Sequence, residues 1–186
     1  MVKLAILASG AGSNARNIIQ HLQNNSEVEI SIIACNKADA GVFQTANEYN
    51  IPSLLLTKEN FKTSNEFVDL LKAQKIDWVI LAGFLWLVPS QLVQAFPNRI
   101  VNIHPALLPN FGGKGMYGHF VHEAVAAAGE KESGITIHYV NEHYDEGGII
   151  FQARVNVEKC SAQEIENRVR ALEIAHFPQV IESLIQ

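Results

Sequence analysis

The chain begins with an apolar run that leads into a glycine-containing turn: Val2-Lys3-Leu4-Ala5-Ile6-Leu7-Ala8-Ser9-Gly10-Ala11-Gly12-Ser13-Asn14. Its first seven residues are apolar apart from Lys3, which is typical of a strand buried within a parallel sheet. The next six residues form a glycine-containing turn, and Ala15 to Leu22 then predicts a helix. A strand, a glycine loop and a helix in this order direct backbone N–H groups and the positive helix end at an anion.

The same loop can be interpreted in two ways as an anion site. Gly10, Gly12 and Ala15 satisfy the loose dinucleotide fingerprint, which also requires an acidic residue at the end of the second strand. That strand is predicted at 29–34, and Cys35-Asn36-Lys37 follows it without Asp or Glu. We therefore expect the loop to bind a single phosphate, and the alternative is a tight turn that binds no ligand.

The first 105 residues continue this alternation of strand and helix. Further strands are predicted at 53–56, 77–81 and 99–103, with helices between them. A capping box, Thr63-Ser64-Asn65-Glu66, is predicted to start the helix that precedes the strand at 77–81. Such alternation indicates an α/β fold, with an open, mostly parallel twisted sheet and flanking helices.

The remaining residues extend the sheet in a different way. Strands predicted at 134–140 and 149–157 form a β-hairpin, and a second capping box, Ser161-Ala162-Gln163-Glu164, starts a long C-terminal helix. We interpret residues 1–186 as one domain, in which residues 1–105 form a nucleotide-binding-like half.

A second stretch carries the candidate chemistry: Asn102-Ile103-His104-Pro105-Ala106-Leu107-Leu108-Pro109. Its two prolines stop the preceding strand from continuing. Because side chains alternate along a strand, Asn102 and His104 are expected on the same side of it. An amide donor beside a titratable ring is suited to an oxyanion and a proton transfer. The alternative is a loop whose Asn and His only satisfy local backbone groups.

Three segments directly follow predicted parallel strands: Ser9–Asn14, Gly83–Val88 and Asn102–Pro109. Ligands of open α/β sheets bind beyond the carboxyl ends of the strands, so we expect one cleft to join the three segments. Leu85 to Val88 are four large apolar residues, which either line a pocket for a flat ring system or belong to the ordinary core. For such a run, ordinary core is the more common outcome.

Composition favours a small-molecule partner over nucleic acid or a membrane. The formal net charge is −5, with 14 basic and 19 acidic residues, and no run of Lys or Arg suggests a nucleic-acid track. No apolar run has the length of a membrane-spanning helix. Cys35 and Cys160 are isolated, which indicates a reducing, cytoplasmic setting. His119 and His122 lack a third ligand, so we expect partly exposed helix residues and no metal site.

Several motifs together resemble one family. They are Ser9–Asn14, Asn36–Ala40, Leu81–Phe84, Asn102–Pro109, Gly134–Val140 and Asp145-x-Gly147-Gly148. In this order they are similar to motifs of the formyltransferases that use 10-formyltetrahydrofolate, and the similarity covers nearly the whole chain. The resemblance implies a Rossmann-like formyltransferase fold, in which residues 106–186 supply the folate-site loops, the hairpin and the terminal helix.

The resemblance also implies an activity. It is the transfer of a formyl group from the co-substrate 10-formyltetrahydrofolate to the amine of glycinamide ribonucleotide in de novo purine biosynthesis, by a monomer or homodimer and without a metal. Two other interpretations stay open. One is a non-catalytic nucleotide-binding module that uses only Ser9–Asn14, and the other is formyl transfer to a different amine.

The resemblance assigns the site residues as well. The catalytic trio falls on Asn102, His104 and Asp145. The ribonucleotide site falls on Gly12, Ser13, Asn14, Arg170, Ala171, Leu172 and Glu173. The folate site falls on Ser64, Leu85, Trp86, Leu87, Val88, Asn102, Asn141, Glu142, His143, Tyr144 and Asp145. At Leu85 to Val88 the resemblance thus reverses the preference for ordinary core.

The chain departs from the family pattern at three places. Trp86 stands where relatives often carry an arginine, and Ser64 stands where some relatives carry one, so contacts to the pterin or the glutamate tail of the folate are expected to differ. The glycine-rich loop Gly112–Gly118 is longer than the usual short turn at this place.

The implied mechanism is attack of the amine on the formyl carbon, which gives a tetrahedral oxyanion. Asn102 and protonated His104 are expected to donate hydrogen bonds to that oxyanion. We expect Asp145 to raise the pKa of His104, because a nearby negative charge favours the imidazolium.

Overall fold

The fold is built on one seven-stranded sheet. The computed structural model describes all 186 residues, Met1–Gln186. The strands are β1 (Val2–Ala8), β2 (Val28–Cys35), β3 (Ser53–Leu55), β4 (Trp78–Leu81), β5 (Ile100–His104), β6 (Glu132–Tyr139) and β7 (Ile149–Asn156). Their order is β3-β2-β1-β4-β5-β6-β7; β1 to β5 are parallel, and β6 and β7 each pair antiparallel to the preceding strand. The predicted mostly parallel sheet with a C-terminal hairpin is confirmed.

Helices cover both faces of this sheet. They are α1 (Ser13–Leu22), α2 (Val42–Glu48), α3 (Glu66–Ala73), α4 (Ser90–Ala95), α5 (His119–Ala127) and α6 (Ala162–Ile185), with a π-helical turn at Glu59–Thr63 before α3. The predicted long terminal helix and its capping box are confirmed. Ser161 Oγ accepts the Glu164 N–H at 3.3 Å, and the Glu164 carboxylate accepts the Ser161 N–H at 2.7 Å. None of the helices is both long and apolar enough to cross a membrane.

Strand β1 lies inside the sheet, and both of its faces are buried. Leu4, Ile6 and Ala8 pack in the cluster formed with α1, α2, α5 and α6. Ala5 and Leu7 pack in the cluster on the opposite face, with α3 and α4. A strand that has helices on both faces requires apolar side chains at successive positions, which explains the continuous apolar run of the sequence.

The capping box predicted before α3 is wrong. Helix α3 follows Asn65, whose side chain makes no capping hydrogen bond. The Thr63 hydroxyl instead donates to the Glu59 carbonyl, 3.2 Å away, within the π-helical turn. The Glu66 N–H donates to Ser64 Oγ at 3.3 Å. The predicted motif therefore fails because the preceding turn uses the hydroxyl that would have capped the helix.

The burial of β1 predicts a large cost for truncating its side chains. Ile6→Ala removes apolar atoms from a fully buried site, and we expect the free energy of unfolding to fall by about 2–5 kcal/mol. Ile149→Ala is the control, because Ile149 is 52% exposed on the edge strand β7, and it should change stability by less than about 1 kcal/mol. Urea denaturation followed by circular dichroism measures both. Similar losses at the two positions would contradict the role of β1 as the core strand.

Candidate active site

A cleft of about 570 Å³ opens at the carboxyl ends of the parallel strands. Its lining comes from the start of α1, the segment after β4, the end of β5, the glycine-rich loop, the loop between β6 and β7, and α6. The strand order reverses between β1 and β4, and ligands of open α/β sheets bind at such a point. As predicted, Ser9–Asn14, Gly83–Val88 and Asn102–Pro109 all contribute residues to this one cleft.

The three residues of the candidate trio all line this cleft. Asn102 and His104 lie on one side of β5, and Ile103 between them packs in the core on the other side. His104 Nδ1 lies 3.5 Å from Asp145 Oδ2. His104 Nε2 lies 2.7 Å from the carbonyl oxygen of Phe111. Because a carbonyl only accepts, Nε2 carries the hydrogen, and Nδ1 beside Asp145 is the nitrogen that titrates.

Asp145 is held ionised although it is largely buried. Burial by itself raises the pKa of Asp145, but the neighbouring imidazoles of His138 and His104 and the Gly113 N–H together bring it below the ordinary 3.8. The Gly113 N–H donates to Asp145 Oδ2 at 3.0 Å. The carboxylate therefore joins the glycine-rich loop to the imidazole of His104.

The expected rise in the pKa of His104 is wrong. Its side chain is only 4% exposed, and this burial lowers the pKa below the ordinary 6.5. The negative charge of Asp145 and the Phe111 carbonyl raise the pKa, as predicted, but they do not offset the loss of hydration. At neutral pH the resting site therefore holds a neutral imidazole beside a carboxylate.

His138 is a site residue that the sequence analysis missed. Its Nδ1 lies 2.8 Å from the Tyr139 carbonyl, so Nδ1 carries a hydrogen and Nε2 is the nitrogen that can accept. Asn102 Nδ2 lies 3.1 Å from that Nε2 and donates to it. Asp145 Oδ1 is 3.5 Å from the same nitrogen. The alternation of apolar and polar residues in β6 indicated that His138 faces a site or solvent. Its contact with Asn102 could not be predicted, because it depends on the register that pairs these two residues across β5 and β6.

Thr136, two residues earlier on β6, holds the proline-containing loop in place. Its Oγ1 donates to the Ala106 carbonyl at 2.7 Å and accepts the Leu108 N–H at 3.0 Å. Gln152 Nε2 donates to the same oxygen at 2.8 Å. These bonds are fully buried or nearly so, and they fix the chain directly after His104.

A polar part of the lining, called here the polar end, is formed by Ser13 and Asn14 at the start of α1 and by Arg170 and Glu173 on α6. Asn14 Nδ2 donates to Glu173 Oε2 at 3.0 Å. Burial raises the pKa of Glu173, and the bond from Asn14 and the charge of Arg170 oppose that rise. This end combines a helix N-terminus with a cation, which suits a phosphate and a sugar.

Three other residues assigned to the ribonucleotide do not line the cleft: Gly12, Ala171 and Leu172. Gly12 has φ of 79°, and a Cβ there would lie 2.8 Å from Val42 Cγ2, so it permits the turn rather than contacting the cavity. A helix turns by about 100° per residue. Arg170 and Glu173 therefore share a face of α6, whereas Leu172 packs against the core.

An apolar part of the lining, called here the apolar end, is formed by Leu85, Trp86, Leu87 and Val88 with Phe84. Phe84 and Val88 also belong to the core cluster on this face of the sheet. The Trp86 ring packs against Phe61 and Phe84, with ring centres 5.8 and 6.3 Å apart, respectively. The Lys62 ammonium lies 5.3 Å from the Trp86 ring centre. The wall is therefore aromatic and carries a positive charge at its edge.

The remaining residues assigned to the folate divide into two groups. Asn141, His143 and Tyr144 line the cleft. Ser64 and Glu142 do not line it. The Ser64 hydroxyl accepts the Glu66 N–H, so it is used within its own turn.

The two helix histidines differ from each other. His119 is exposed and lies 2.7 Å from Glu166, in agreement with the predicted surface position. His122 is only 4% exposed, lines the cleft and has no hydrogen-bond partner at Nδ1, so the prediction of partial exposure is wrong for it. Helix α5 turns this side chain inward because it packs on α6. No group of three His, Cys, Asp or Glu side chains is arranged to hold a metal ion.

The lowered pKa of His104 predicts a pH dependence of stability. The unfolded chain protonates this imidazole near its ordinary pKa and the folded chain only at lower pH, so stability falls as pH drops below about 6.5. His104→Gln removes this titration, and we expect a shallower loss of stability between about pH 6.5 and 5 than in the wild type. The exposed His143→Gln is the control and should keep the wild-type slope in urea denaturation. An unchanged slope in His104→Gln would contradict the effect.

The His138 hydrogen bond predicts a second effect on stability. His138→Leu leaves the Asn102 amide without its acceptor, and we expect a loss of about 1–3 kcal/mol. His143→Leu, at an exposed position in the loop that follows β6, should change the free energy of unfolding by less than about 1 kcal/mol. Denaturation midpoints of the two variants measure the difference, and equal midpoints would refute the assigned bond.

The comparisons agree with this arrangement. The family described as formyl transferase matches residues 2–181. The chain is 42% identical over 191 residues to the chloroplastic phosphoribosylglycinamide formyltransferase of Arabidopsis thaliana, covering 99% of this chain and 65% of that protein. It is 34% identical to the phosphoribosylglycinamide formyltransferase of Bacillus subtilis (strain 168), covering 100% of this chain and 95% of that protein. The chain spans less than two thirds of the two plant relatives that it matches, 65% and 61% of their lengths.

Solved structures show the same similarity. The crystal structure of glycinamide ribonucleotide transformylase 1 from Geobacillus kaustophilus matches with a TM-score of 0.90 and 31% identity, over 100% of both chains. The phosphoribosylglycinamide formyltransferase of Anaplasma phagocytophilum matches with a TM-score of 0.89 and 32% identity, over 100% of this chain and 87% of that one. With its motifs in one cleft and nearly its whole length matched, the chain belongs to the formyl transferase family.

Proposed function

We propose that this protein transfers a formyl group from 10-formyltetrahydrofolate to the amine of glycinamide ribonucleotide. The products are formylglycinamide ribonucleotide and tetrahydrofolate, and the reaction belongs to de novo purine biosynthesis. The observation that carries the proposal is that Asn102, His104 and Asp145 line the same cleft as the polar end and the apolar end. The names of the relatives from Bacillus subtilis and Arabidopsis thaliana support it.

The two ends of the cleft suit the two substrates. Ser13 and Asn14 at the α1 N-terminus, with Arg170 across from them, would hold the ribonucleotide phosphate. The aromatic and aliphatic wall at Leu85–Val88 would hold the flat ring system of the folate. The amine and the formyl carbon would then meet at the trio. Proximity of this kind supplies much of the rate enhancement of a bimolecular transfer.

The neutral state of His104 changes the mechanism that the sequence suggested. As the amine attacks the formyl carbon, its nitrogen becomes acidic, and Nδ1 of neutral His104 is free to accept the released proton. The imidazolium formed in this way lies 3.5 Å from Asp145, whose negative charge stabilises it. The same proton can then pass to N10 as the folate leaves. Histidine thus acts first as a base and then as an acid.

Asn102 would stabilise the oxyanion of the tetrahedral intermediate. One of its two amide hydrogens is directed at His138 Nε2, and the other remains for the substrate. Because the His138 bond fixes the amide, this donor is oriented before the reaction begins, which is the property that makes such donors effective. No step of this scheme requires a metal.

The setting proposed for this activity is the cytoplasm, with small molecules as partners and the protein acting as a monomer or homodimer. The support is the free state of Cys35 and Cys160 and the net charge of −5 without a basic track. Neither nucleic acid nor a membrane is needed for the reaction as proposed.

The proposed activity predicts the behaviour of three variants in a formyl-transfer assay. Asn102→Ala removes an oxyanion donor, and His104→Ala removes the proton carrier, so each should lower kcat by about two to three orders of magnitude. Asp145→Asn should lower kcat and also move the acidic fall of the pH–rate profile to lower pH, because the charge that raises the pKa of His104 is lost.

Asp69→Asn, an exposed carboxylate on α3, is the matched control and should keep both kcat and the pH profile of the wild type. Wild-type rates in His104→Ala would refute the assignment of the trio. Formylation of another amine, but not of glycinamide ribonucleotide, would refute the acceptor. A protein that binds the ribonucleotide but gives no heat on titration with a folate would be a nucleotide-binding module instead.

A further inference from the structure

Ser9 is a buried polar residue that the proposed mechanism leaves unused. It is 3% exposed, stands directly after β1, and does not line the cleft. Its hydroxyl donates to Asn36 Oδ1 at 2.6 Å. The same oxygen accepts the Leu85 N–H at 2.9 Å. The hydroxyl therefore uses its one hydrogen for Asn36 and one of its lone pairs for Leu85.

This hydroxyl joins the loops that follow three adjacent strands. Ser9 follows β1, Asn36 follows β2, and Leu85 follows β4, and the sheet order is β2-β1-β4. Leu85 is the first of the four residues that form the aliphatic and aromatic wall of the apolar end. Because this hydrogen bond is made by the backbone N–H of Leu85, it fixes the backbone position at the start of the wall and not only one side chain.

The wall depends on such bonds because it has no regular structure of its own. The segment between the end of β4 and the start of α4 contains neither helix nor strand. Three hydrogen bonds join this segment to β1 and to Ser9. The Ala82 N–H donates to the Leu7 carbonyl, the Gly83 carbonyl accepts the Ser9 N–H, and the Leu85 N–H donates to Ser9 Oγ. Of these, the bond to the hydroxyl is the one that depends on a side chain and lies nearest to the wall.

We propose that Ser9 is a positioning residue for the folate co-substrate. Asn36 accepts the hydroxyl hydrogen and so turns a lone pair of Ser9 Oγ toward the Leu85 N–H, which fixes the start of the apolar wall. The inference rests on the proposed function, because it takes the apolar end as the folate site. It assigns Ser9 and Asn36 to folate binding although neither contacts the cavity.

The inference predicts a selective effect on one substrate. Ser9→Ala leaves the Leu85 N–H without its acceptor, and we expect the KM for 10-formyltetrahydrofolate to rise about tenfold, the equivalent of one lost buried hydrogen bond. We expect kcat and the KM for the ribonucleotide to change by less than about twofold, since the trio and the polar end keep their contacts.

Asn36 supplies a test by conservative replacement. Asn36→Ala removes the acceptor and should raise the folate KM in the same direction as Ser9→Ala. Asn36→Asp keeps an acceptor oxygen and should stay close to the wild-type folate KM. Because both residues act through one chain of bonds, the double variant Ser9→Ala with Asn36→Ala should be no worse than Ser9→Ala alone.

Ser31→Ala is the matched control. Ser31 is also a buried serine, and its hydroxyl donates to a carboxylate oxygen of Glu29 at 2.7 Å, away from the cleft. It should keep the wild-type folate KM even if its melting temperature falls. Should Ser9→Ala fail to fold by circular dichroism, the pair Asn36→Ala and Asn36→Asp decides the question.

Binding measurements separate this inference from the proposed function. Calorimetry with the stable isomer 5-formyltetrahydrofolate should show weaker binding to Ser9→Ala than to the wild type. If the wild type neither binds this folate nor transfers formyl, the proposed function fails. If the wild type does both, then an unchanged folate KM in Ser9→Ala, an equal rise for both substrates, or additive effects of Ser9 and Asn36 would overturn the positioning role.

Discussion

The fold and the cleft both follow from the burial of β1 on its two faces. A strand with helices above and below it is apolar at successive buried positions, and its polar residues lie toward its two ends. In this chain the carboxyl end is followed by Ser9 and the turn into α1. The loops after the two neighbouring strands arrive at the same edge of the sheet. The cleft is thus a consequence of where the apolar run stops, and its polar groups gather there because the interior of the sheet excludes them.

At the centre of the cleft, two electrostatic effects on one imidazole compete. Removal of water from His104 disfavours its charged form, and the carboxylate of Asp145 favours it. Because desolvation is the larger effect, the resting ring is neutral, yet it stays next to a group that stabilises the cation once a proton arrives. This balance suits a residue that must accept and then return a proton. A strongly raised pKa would have left the ring protonated and unable to act as a base.

The sequence predicts those features that depend on neighbours along the chain. The apolar run before Ser9, the turn at Gly12 and the capping box at Ser161 are local patterns, and the structure contains each of them. The pairing of Asn102 with His138 is of another kind, because it requires the register between β5 and β6. The inward position of His122 requires the packing of α5 on α6. The pKa of His104 was predicted to rise but is lowered, and the reason is similar. A sequence motif contains the charge of Asp145, but the burial of His104 depends on how the whole chain packs.

At the apolar end, the chain departs from the family pattern at Trp86, and a charged residue from another element lies beside that side chain. Trp86 stands where the resemblance expects an arginine, and the side chain at this place carries no charge. The Lys62 ammonium, from the π-helical turn, lies 5.3 Å from the centre of that Trp86 ring. A cation over an indole is stabilised by the negative face of the ring. The positive charge is therefore on an exposed side chain that does not line the cleft. The flat stacking surface and the charge, which an arginine combines in one guanidinium group, are here divided between Trp86 and Lys62.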